Sequence, residues 1–290
     1  MVTRRDYTAE AVEAAKSVLI ELTHLLSEYR DSIVLIGGWV PELLIPQEPR
    51  PHVGSMDIDL ALNHLKIREE GYKLIEELLT SRGYYQEEEK QPFTFFRDVP
   101  LGGSVIKVQV DLLSGEYEGT GKKHRTQAVQ GIKARKARGC DLAFEMVSEV
   151  SVEGKIPGGG LDRVTIRVAS IVPFLVMKGM ALDDRLKEKD AWDIYYCLLA
   201  YPGGIDALAE EFRPHLSHGL VQEGLTKMAK HFSSLKALGP KFVADFEEAY
   251  DPEEVERITR DAFERINAFL KRLGMAWKKA GRLARPTRWP

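Results

Sequence analysis

Two aspartates inside an apolar stretch are the residues of this sequence best suited to chemistry. Residues 54–62 read Gly-Ser-Met-Asp-Ile-Asp-Leu-Ala-Leu, which places Asp57 and Asp59 two positions apart. On a β-strand such residues point to the same face, about 6.6 Å apart. Two carboxylates at that separation repel by roughly 2.5 kcal/mol at an effective dielectric constant of about 20. Because Mg²⁺ prefers one or two carboxylates together with phosphate oxygens, the pair predicts a magnesium site.

A third carboxylate follows in a segment with a strand pattern. Residues 105–113 alternate in polarity and place Asp111 late in an apolar strand. If this strand pairs beside the first, Asp111 joins Asp57 and Asp59 on one face of the sheet. Three carboxylates can hold two Mg²⁺ ions about 3.5–4 Å apart, which activates an attacking oxygen and stabilises a leaving one. The three carboxylates predict a reaction in which an acceptor hydroxyl attacks a nucleoside triphosphate (NTP) and pyrophosphate leaves. Asp111 could also help to deprotonate that hydroxyl.

A glycine turn precedes the aspartate pair. The apolar run at 33–36 predicts a short buried strand, and Gly37 and Gly38 separate it from a helix start at Trp39. Glycines there let backbone N–H groups approach phosphate oxygens. Taken alone, the glycine pair is explained by a tight turn, and the Asp-x-Asp pair by surface carboxylates. A glycine turn after one strand, followed by Asp-x-Asp on the next strand, is a much more specific indication of a site for metal and phosphate. Trp39 could stack on a base or pack against the first helix.

The elements that must position these residues follow from hydrophobic periodicity. Apolar runs predict strands at 33–36, 57–62 and 164–168, and a hairpin of strands 92–99 and 104–113 around Gly102 and Gly103. Helical spacing predicts helices at 9–28, 67–81, 171–182, 187–201, 204–213, 220–235, 241–249 and 253–273. The change of pattern near 165–170 predicts an α+β fold, with a small mixed β-sheet in a domain at 1–168 and a helical domain with a basic C-terminal tail at 169–290.

Composition limits what else the chain can be. Its 290 residues are 44% hydrophobic and 29% charged, which excludes disorder, collagen-like repeats and a disulfide scaffold. The two cysteines lack metal-ligand spacing and fit a reduced compartment. The first residues lack the apolar core of a signal peptide, and no apolar stretch approaches the roughly 20 residues of a membrane helix. We therefore expect a cytoplasmic protein with no membrane partner.

Two basic runs give a local indication of a nucleic-acid partner, which the net charge of −3 does not give. Residues 119–139 contain seven Lys or Arg and no acid, and the last twenty residues again contain seven and no acid. Either run could be a solvated face or a frayed tail, or it could be a surface that attracts phosphates.

These motifs resemble the active site of the DNA polymerase beta-type nucleotidyltransferase superfamily. Within it, the chain is most similar to the AbiEii/AbiGii toxin family of abortive-infection nucleotidyltransferases. That family has, in its helical half, a Lys followed by Arg-x-Lys and Asp-x-x-Asp. This chain has Lys178, followed by Arg185-Leu-Lys-Glu-Lys-Asp-Ala-Trp-Asp. The similarity runs from about residue 33 to residue 199.

The resemblance implies a nucleotidyltransferase palm at 1–168 and a role for each matching residue. Asp57, Asp59 and Asp111 match the metal-binding carboxylates, Lys178 a triphosphate contact, and Asp190 a late acid. The residues implied to be catalytic are Asp57, Asp59, Asp111, Lys178 and Asp190, and those implied to bind nucleotide are Gly37, Gly38, Gly54, Ser55, Lys178 and Arg185.

Simpler interpretations exist for the helical motif. Asp190 and Asp193, with Arg185 and Lys187 nearby, could form a surface ion-pair cluster worth under ~1 kcal/mol. Lys178 follows an apolar run and could be a lysine that extends to solvent from a helix end.

For function, the resemblance implies a Mg²⁺-dependent toxin that transfers a nucleotidyl group from an NTP to RNA, plausibly to the 3′ end of tRNA, restrained by a cognate antitoxin. The first alternative is an enzyme that modifies a small molecule of the aminoglycoside type. The second is a catalytically silent module that binds nucleotide or RNA. An RNA acceptor predicts steep salt dependence, whereas a small-molecule acceptor does not.

Overall fold

The computed structural model describes residues 3–63, 66–67, 69–87, 93–115, 126–129 and 132–275. Contacts divide the chain into two compact units, neither of which is one continuous segment. The sheet unit is Tyr7–Leu44 with Gly54–Phe174, and the helical unit is Met1–Asp6, Ile45–Val53 and Leu175–Pro290. The predicted α+β class is confirmed. This division differs from the predicted bounds, 1–168 and 169–290, because a segment from the N-terminal half groups with the helices.

One mixed sheet organises the sheet unit. Within the described ranges it has eight strands: β1 (Ile33–Ile36), β2 (Asp57–Leu62), β3 (Thr94–Leu101), β4 (Ser104–Ser114), β5 (Thr126–Val129), β6 (Ile132–Lys136), β7 (Val147–Lys155) and β8 (Leu161–Ala169). Their order is β5-β6-β4-β2-β1-β8-β7, with β3 paired to β4. The centre of the sheet is apolar, because Val34, Ile58, Val110 and Leu112 are fully buried.

Three pairings around β2 and β4 position the predicted carboxylates. β1 and β2 are antiparallel, with Ile36 opposite Asp59. β2 and β4 are parallel, with Asp59 opposite Asp111. β3 and β4 form an antiparallel hairpin around Gly102 and Gly103, as the turn residues predict. The register, rather than any loop, therefore brings the acids onto neighbouring strands.

The helices of the sheet unit cover and connect its strands. The first begins after Thr8, whose hydroxyl accepts a hydrogen bond from the Ala11 N–H at 3.2 Å. Its buried residues, among them Val18, Leu19 and Leu22, face β4, β7 and β8. The helices in this part of the chain are α1 (Ala9–Leu25), α2 (Trp39–Leu44), α3 (Glu69–Ser81) and α4 (Leu142–Glu145).

The helical unit is built from amphipathic helices. The last of them begins at an Asp251 cap followed by Pro252, and buries Ile258, Ala262 and Ile266 at helical spacing. The described helices that follow the sheet are α5 (Ile171–Arg185), α6 (Glu188–Ala200), α7 (Gly204–Phe212), α8 (Gly219–His231), α9 (Leu238–Phe246) and α10 (Pro252–Arg272). None of the helices in the described ranges is long and apolar enough to cross a membrane.

The structure confirms most of the predicted elements and adds some. Strands β1 and β2 have the predicted bounds, and the remaining predicted strands and helices are present with shifted ends. Strands β5, β6 and β7 were not predicted, and two of these lie within the basic run 119–139. Residues 119–125, 130 and 131 of that run and the basic tail from residue 276 lie outside the described residues, so the structure does not test either as a phosphate-attracting surface.

Candidate active site and a buried ion-pair network

The predicted carboxylates lie on one face of two adjacent parallel strands. Asp59 is the register partner of Asp111, and Asp57 is the partner of Gln109. Asp57 and Asp59 are half-buried, whereas Asp111 is buried. Residues two apart on a strand share a face, and register partners in a sheet lie side by side. The prediction that all three acids share one face is confirmed.

The glycine turn lies directly against Asp59. Gly37 has a φ of +75°, a backbone conformation that glycine adopts readily. A Cβ at this position would lie 2.0 Å from the Asp59 Oδ2 atom and 2.8 Å from its Cγ atom. Glycine is therefore required beside the carboxylate both for the turn and for the space. Helix α2, which follows Gly38, has only six residues, and the predicted contact of this turn with phosphate stays a prediction.

Two further side chains hold the strand that carries Asp57. The Ser55 hydroxyl donates a hydrogen bond to Asp57 Oδ1 at 2.5 Å. The Trp39 indole N–H donates to the backbone carbonyl of Asp57 at 3.0 Å. Because Trp39 is 1% exposed, its ring is buried inside the unit and has no face for a base. Gly54 has a φ of +76°, and an added Cβ would lie 2.6 Å from Val12.

Asp111 is held by two residues that we did not single out in the sequence. The Thr94 hydroxyl donates to Asp111 Oδ1 at 2.6 Å, and the Gln109 amide donates to Oδ2 at 3.0 Å. A sequence signal for both exists. The turn at Gly102 and Gly103 places Leu101 opposite Ser104, and counting back along the hairpin places Thr94 opposite Asp111. Gln109 lies two positions before Asp111 and thus on the same face.

The three carboxylates suit Mg²⁺ by chemistry and placement. Among the described residues, no group of three or more His, Cys, Asp or Glu side chains is already assembled around a point that would hold a metal. Mg²⁺ does not require such a cage, because it keeps several waters and takes one or two carboxylates plus phosphate oxygens. Asp57, Asp59 and Asp111 are thus the residues that would hold the ion.

A second cluster, which we call the ion-pair network, lies in the helical unit. It consists of Lys178, Arg185, Lys189, Asp190, Asp193 and His52. The Lys178 ammonium lies 2.9 Å from Asp190 Oδ1 and 2.6 Å from Asp193 Oδ2. Lys178 is 7% exposed, and Asp190 and Asp193 are 1% and 0% exposed. The network is therefore buried at its centre.

The outer members complete the network. Arg185 forms two hydrogen bonds to Asp190, at 2.7 and 2.8 Å, in the forked geometry typical of arginine and carboxylate. Lys189 lies 2.9 Å from Asp193 Oδ1. The three cations and two carboxylates leave a formal excess of one positive charge when His52 is neutral.

Electrostatics keep the members of the network charged. Burial alone would lower the pKa of Lys178, but Asp190 and Asp193 outweigh burial and raise that pKa. Burial alone would raise the pKa of each carboxyl, but Lys178 and the outer cations outweigh it. The pKa of Asp190 is therefore lowered, and that of Asp193 lies well below its usual range.

This geometry overturns two simpler interpretations of the helical motif. Asp190 and Asp193 are not a surface cluster, because both carboxylates are buried. Lys178 does not extend to solvent from a helix end, because its ammonium lies between two buried carboxylates. The structure brings Lys178, Arg185 and Asp190 together, and the implied role of Lys178 and Arg185 in binding triphosphate stays a prediction.

His52 belongs to the network although its sequence position gave no signal for it. Its Nε2 atom lies 3.0 Å from Asp193 Oδ1, and its ring contacts the rings of Trp192 and Tyr196, with ring centroids 5.0 and 4.8 Å away. Burial, followed by the charge of Lys189, lowers the pKa of His52 to about 4, and the hydrogen bond to Asp193 opposes this. The neutral ring therefore donates its Nε2–H to Asp193 at neutral pH.

The lowered pKa of His52 predicts an acid-sensitive stability. Because the unfolded chain takes up this proton near pH 6.5 and the folded chain only near pH 4, stability falls as the pH falls through that interval. The full loss is roughly 3 kcal/mol in the free energy of unfolding. Urea unfolding between pH 7 and pH 4 follows this loss, and His52→Gln should flatten this part of the profile. Parallel profiles for the two proteins would contradict the prediction.

The two cysteines are not candidate nucleophiles. Cys140 and Cys197 are both buried. Burial, followed by Asp141 for Cys140 and by Asp193 for Cys197, raises the pKa of each thiol, so both stay protonated at neutral pH.

No protein-family model, curated protein or solved structure matches this chain. The family that the motifs resemble therefore stays a prediction, and the case for a function depends on the geometry of the carboxylates and the glycine turn.

Proposed function

We propose that this protein is a Mg²⁺-dependent nucleotidyltransferase that transfers a nucleotidyl group from an NTP to an acceptor hydroxyl. One observation carries the proposal. Asp59 and Asp111 are register partners on adjacent strands, Asp57 shares their face, and Gly37 lies against Asp59 with no room for a side chain. A purely structural sheet has no need of three carboxylates on neighbouring positions, because their mutual repulsion is a cost unless a cation binds.

The residues of the chain have distinct parts in this reaction. Asp57, Asp59 and Asp111 hold the metal, which when bound supplies positive charge to the triphosphate and to the departing pyrophosphate. Ser55 fixes the Asp57 carboxylate, and Thr94 and Gln109 fix that of Asp111. The acceptor oxygen forms a bond to the α-phosphorus as the bond to the pyrophosphate oxygen breaks, and Asp111 takes the proton of the acceptor hydroxyl.

For the acceptor we propose RNA, with the 3′ end of tRNA as the first candidate, and for the biological setting a cytoplasmic toxin with a cognate antitoxin. This part of the proposal comes from the resemblance to the AbiEii/AbiGii toxins and from the basic runs. Phosphate contacts by Lys and Arg supply most of the sequence-independent affinity for nucleic acid.

Label transfer tests the proposal. The protein is incubated with Mg²⁺, each α-labelled NTP in turn, and total tRNA. We expect one nucleotide to label the RNA, and we expect Asp59→Asn to reduce the labelling by at least about a thousandfold, because a carboxylate that would hold the charge-neutralising metal is lost. Asp162→Asn, which changes an acid on β8 of the same unit, is the matched control and should label RNA as the wild type does.

The other outcomes separate the alternatives. Labelling of an aminoglycoside but not RNA, with little dependence on salt, would favour the small-molecule enzyme. Binding of NTP without release of pyrophosphate for any acceptor would favour a catalytically silent module and would contradict the proposal. Equal labelling by wild type and Asp59→Asn would place the reaction at another site.

A further inference from the structure

Within the described ranges, the last strand of the sheet, β7, is paired on one side only. Its nine residues are in antiparallel register with β8 along their whole length. No described strand pairs with the outer side of β7, which ends the strand order of the sheet. Such an edge presents a row of unpaired backbone N–H and C=O groups. β7 contains neither a proline nor an interruption of its register that would keep another strand away.

The hairpin of β7 and β8 also extends beyond its neighbour β1. β8 runs parallel to β1 with Val168 opposite Leu35, so Ile33, the first residue of β1, is level with Ile166. Residues 161–165 of β8 therefore lie beyond the start of β1, and in the part of the chain that the structure describes they pair with β7 alone. A two-stranded ribbon is marginally stable, so a third strand along it would stabilise the hairpin.

The hydrogen bonds at the two ends of the hairpin show which residues of β7 face outward. The Ile156 N–H donates to the Gly160 carbonyl at 2.8 Å, and the Ser170 N–H donates to the Met146 carbonyl at 2.8 Å. In an antiparallel pair, residues that bond to the partner strand alternate with residues whose N–H and C=O point away. The even-numbered residues of β7 therefore bond to β8, and the odd-numbered ones present their backbone groups to the outer edge.

The same odd-numbered residues carry the charges of β7. Glu149, Ser151, Glu153 and Lys155 are all exposed. Glu149 lies 3.2 Å from Arg30, with both side chains more than half exposed, and Glu153 pairs with an arginine of β8. Lys155 has no ion pair among the described residues. A strand that binds here must therefore bring its acids to Lys155 and keep them away from the two glutamates.

We infer that β7 pairs with β7 of a second copy of this chain, so that this edge is the interface of a homodimer. A twofold-symmetric dimer through such an edge has its two strands antiparallel. With Val152 on the twofold axis, Glu149 lies opposite Lys155 of the second copy, and the symmetry makes this pair occur twice. Glu153 then lies opposite Ser151, so no like charges are directly opposed. The edge is thus complementary to itself over residues 149–155.

The two neighbouring registers lack this complementarity. With Ser151 on the axis, Glu149 of each copy would oppose Glu153 of the other. With Glu153 on the axis, that glutamate would oppose itself. Like charges directly opposite each other destabilise strand pairing, so the charges of β7 select the register centred on Val152.

Sedimentation velocity of the full chain, over a concentration series up to about 100 μM, tests this inference. We expect a dimer, and we expect Lys155→Glu to weaken it by about tenfold or more, because glutamate then opposes Glu149 at both ends of the interface. Glu149→Lys should weaken the dimer for the matching reason.

Two further variants keep this result specific. Glu149→Lys/Lys155→Glu exchanges the two charges and should restore dimerisation to within about threefold of the wild type. Lys236→Glu makes the same change of net charge as Lys155→Glu, on an exposed residue of the helical unit, and should dimerise like the wild type.

Engineered disulfides test the register. The two native cysteines are buried, so a cysteine added on the exposed face of β7 is the accessible one. Directly opposite residues of paired strands lie within disulfide reach, whereas diagonal neighbours, about 7–8 Å apart, do not. A mixture of Ser151→Cys and Glu153→Cys chains should cross-link under mild oxidation, and neither variant should cross-link with itself.

Three results would overturn the inference. A monomer at every concentration would leave the edge for a strand of another protein. A dimer that Lys155→Glu does not weaken would have its interface elsewhere. Cross-linking of Ser151→Cys with itself, without cross-linking in the mixture, would contradict the register centred on Val152.

Discussion

Asp193→Asn is expected to lower the free energy of unfolding by about 3–5 kcal/mol, the cost of removing one partner from a buried ion pair. Asp193 is 0% exposed and lies within ion-pair distance of Lys178, Lys189 and His52. Asparagine has nearly the same shape, so the loss measures charge rather than volume. The formal excess of positive charge in the network rises from one to two, and the carboxylate that still pairs with Lys178, that of Asp190, also pairs with Arg185.

Chemical denaturation at pH 7, monitored by circular dichroism, measures this effect. Asp206→Asn is the matched control, since Asp206 also pairs with an arginine, Arg272, but its side chain is 79% exposed. We expect the control to lose less than about 1 kcal/mol. A loss for Asp193→Asn that is no larger than the control's would mean that water reaches the network and screens it.

The central sheet could be predicted because its signals are local. The apolar runs at 33–36 and 57–62 have turn residues beside them, and the observed strands have those bounds. The glycines at 102 and 103 fix the register of the hairpin, and this register places Asp111 opposite Thr94. Strand β7 was missed because it is an edge strand with several exposed positions, so its apolar alternation is weak. Strands β5 and β6 lie in a segment whose charge dominates its pattern.

The contacts of the ion-pair network could not be predicted, because they join residues that are distant in the sequence. Nothing in the residues around His52 indicates that its ring will meet Asp193, which is 141 positions away. The burial of Lys178 and Asp190 has the same origin, since an Asp-x-x-Asp helix with basic neighbours is equally typical of a surface. The motif itself was visible in the sequence, but only the packing of α5 and α6 showed that its charges are buried.

Gly37→Ala is expected to cost stability twice, through the backbone and through Asp59. A non-glycine residue at φ +75° costs about 1–2 kcal/mol. The added Cβ would also lie 2.0 Å from Asp59 Oδ2 and 3.0 Å from its Cβ, which the strand holds in place. Crowding of this kind adds about 1–3 kcal/mol. The carboxylate must move away from the face that it shares with Asp111, so we expect label transfer to fall to the level of Asp59→Asn.

Gly103→Ala separates the two costs. Gly103 has a φ of +85°, and a Cβ there would meet nothing within 4 Å. Its loss of stability, measured by urea unfolding, is that of the backbone alone, and its activity should stay at the wild-type level. In an Asp59→Ala background, which removes the colliding oxygen, Gly37→Ala should cost little more than Gly103→Ala. If instead Gly37→Ala costs the same in both backgrounds, the glycine serves the turn and not the carboxylate, and the contact with Asp59 no longer supports a metal site there.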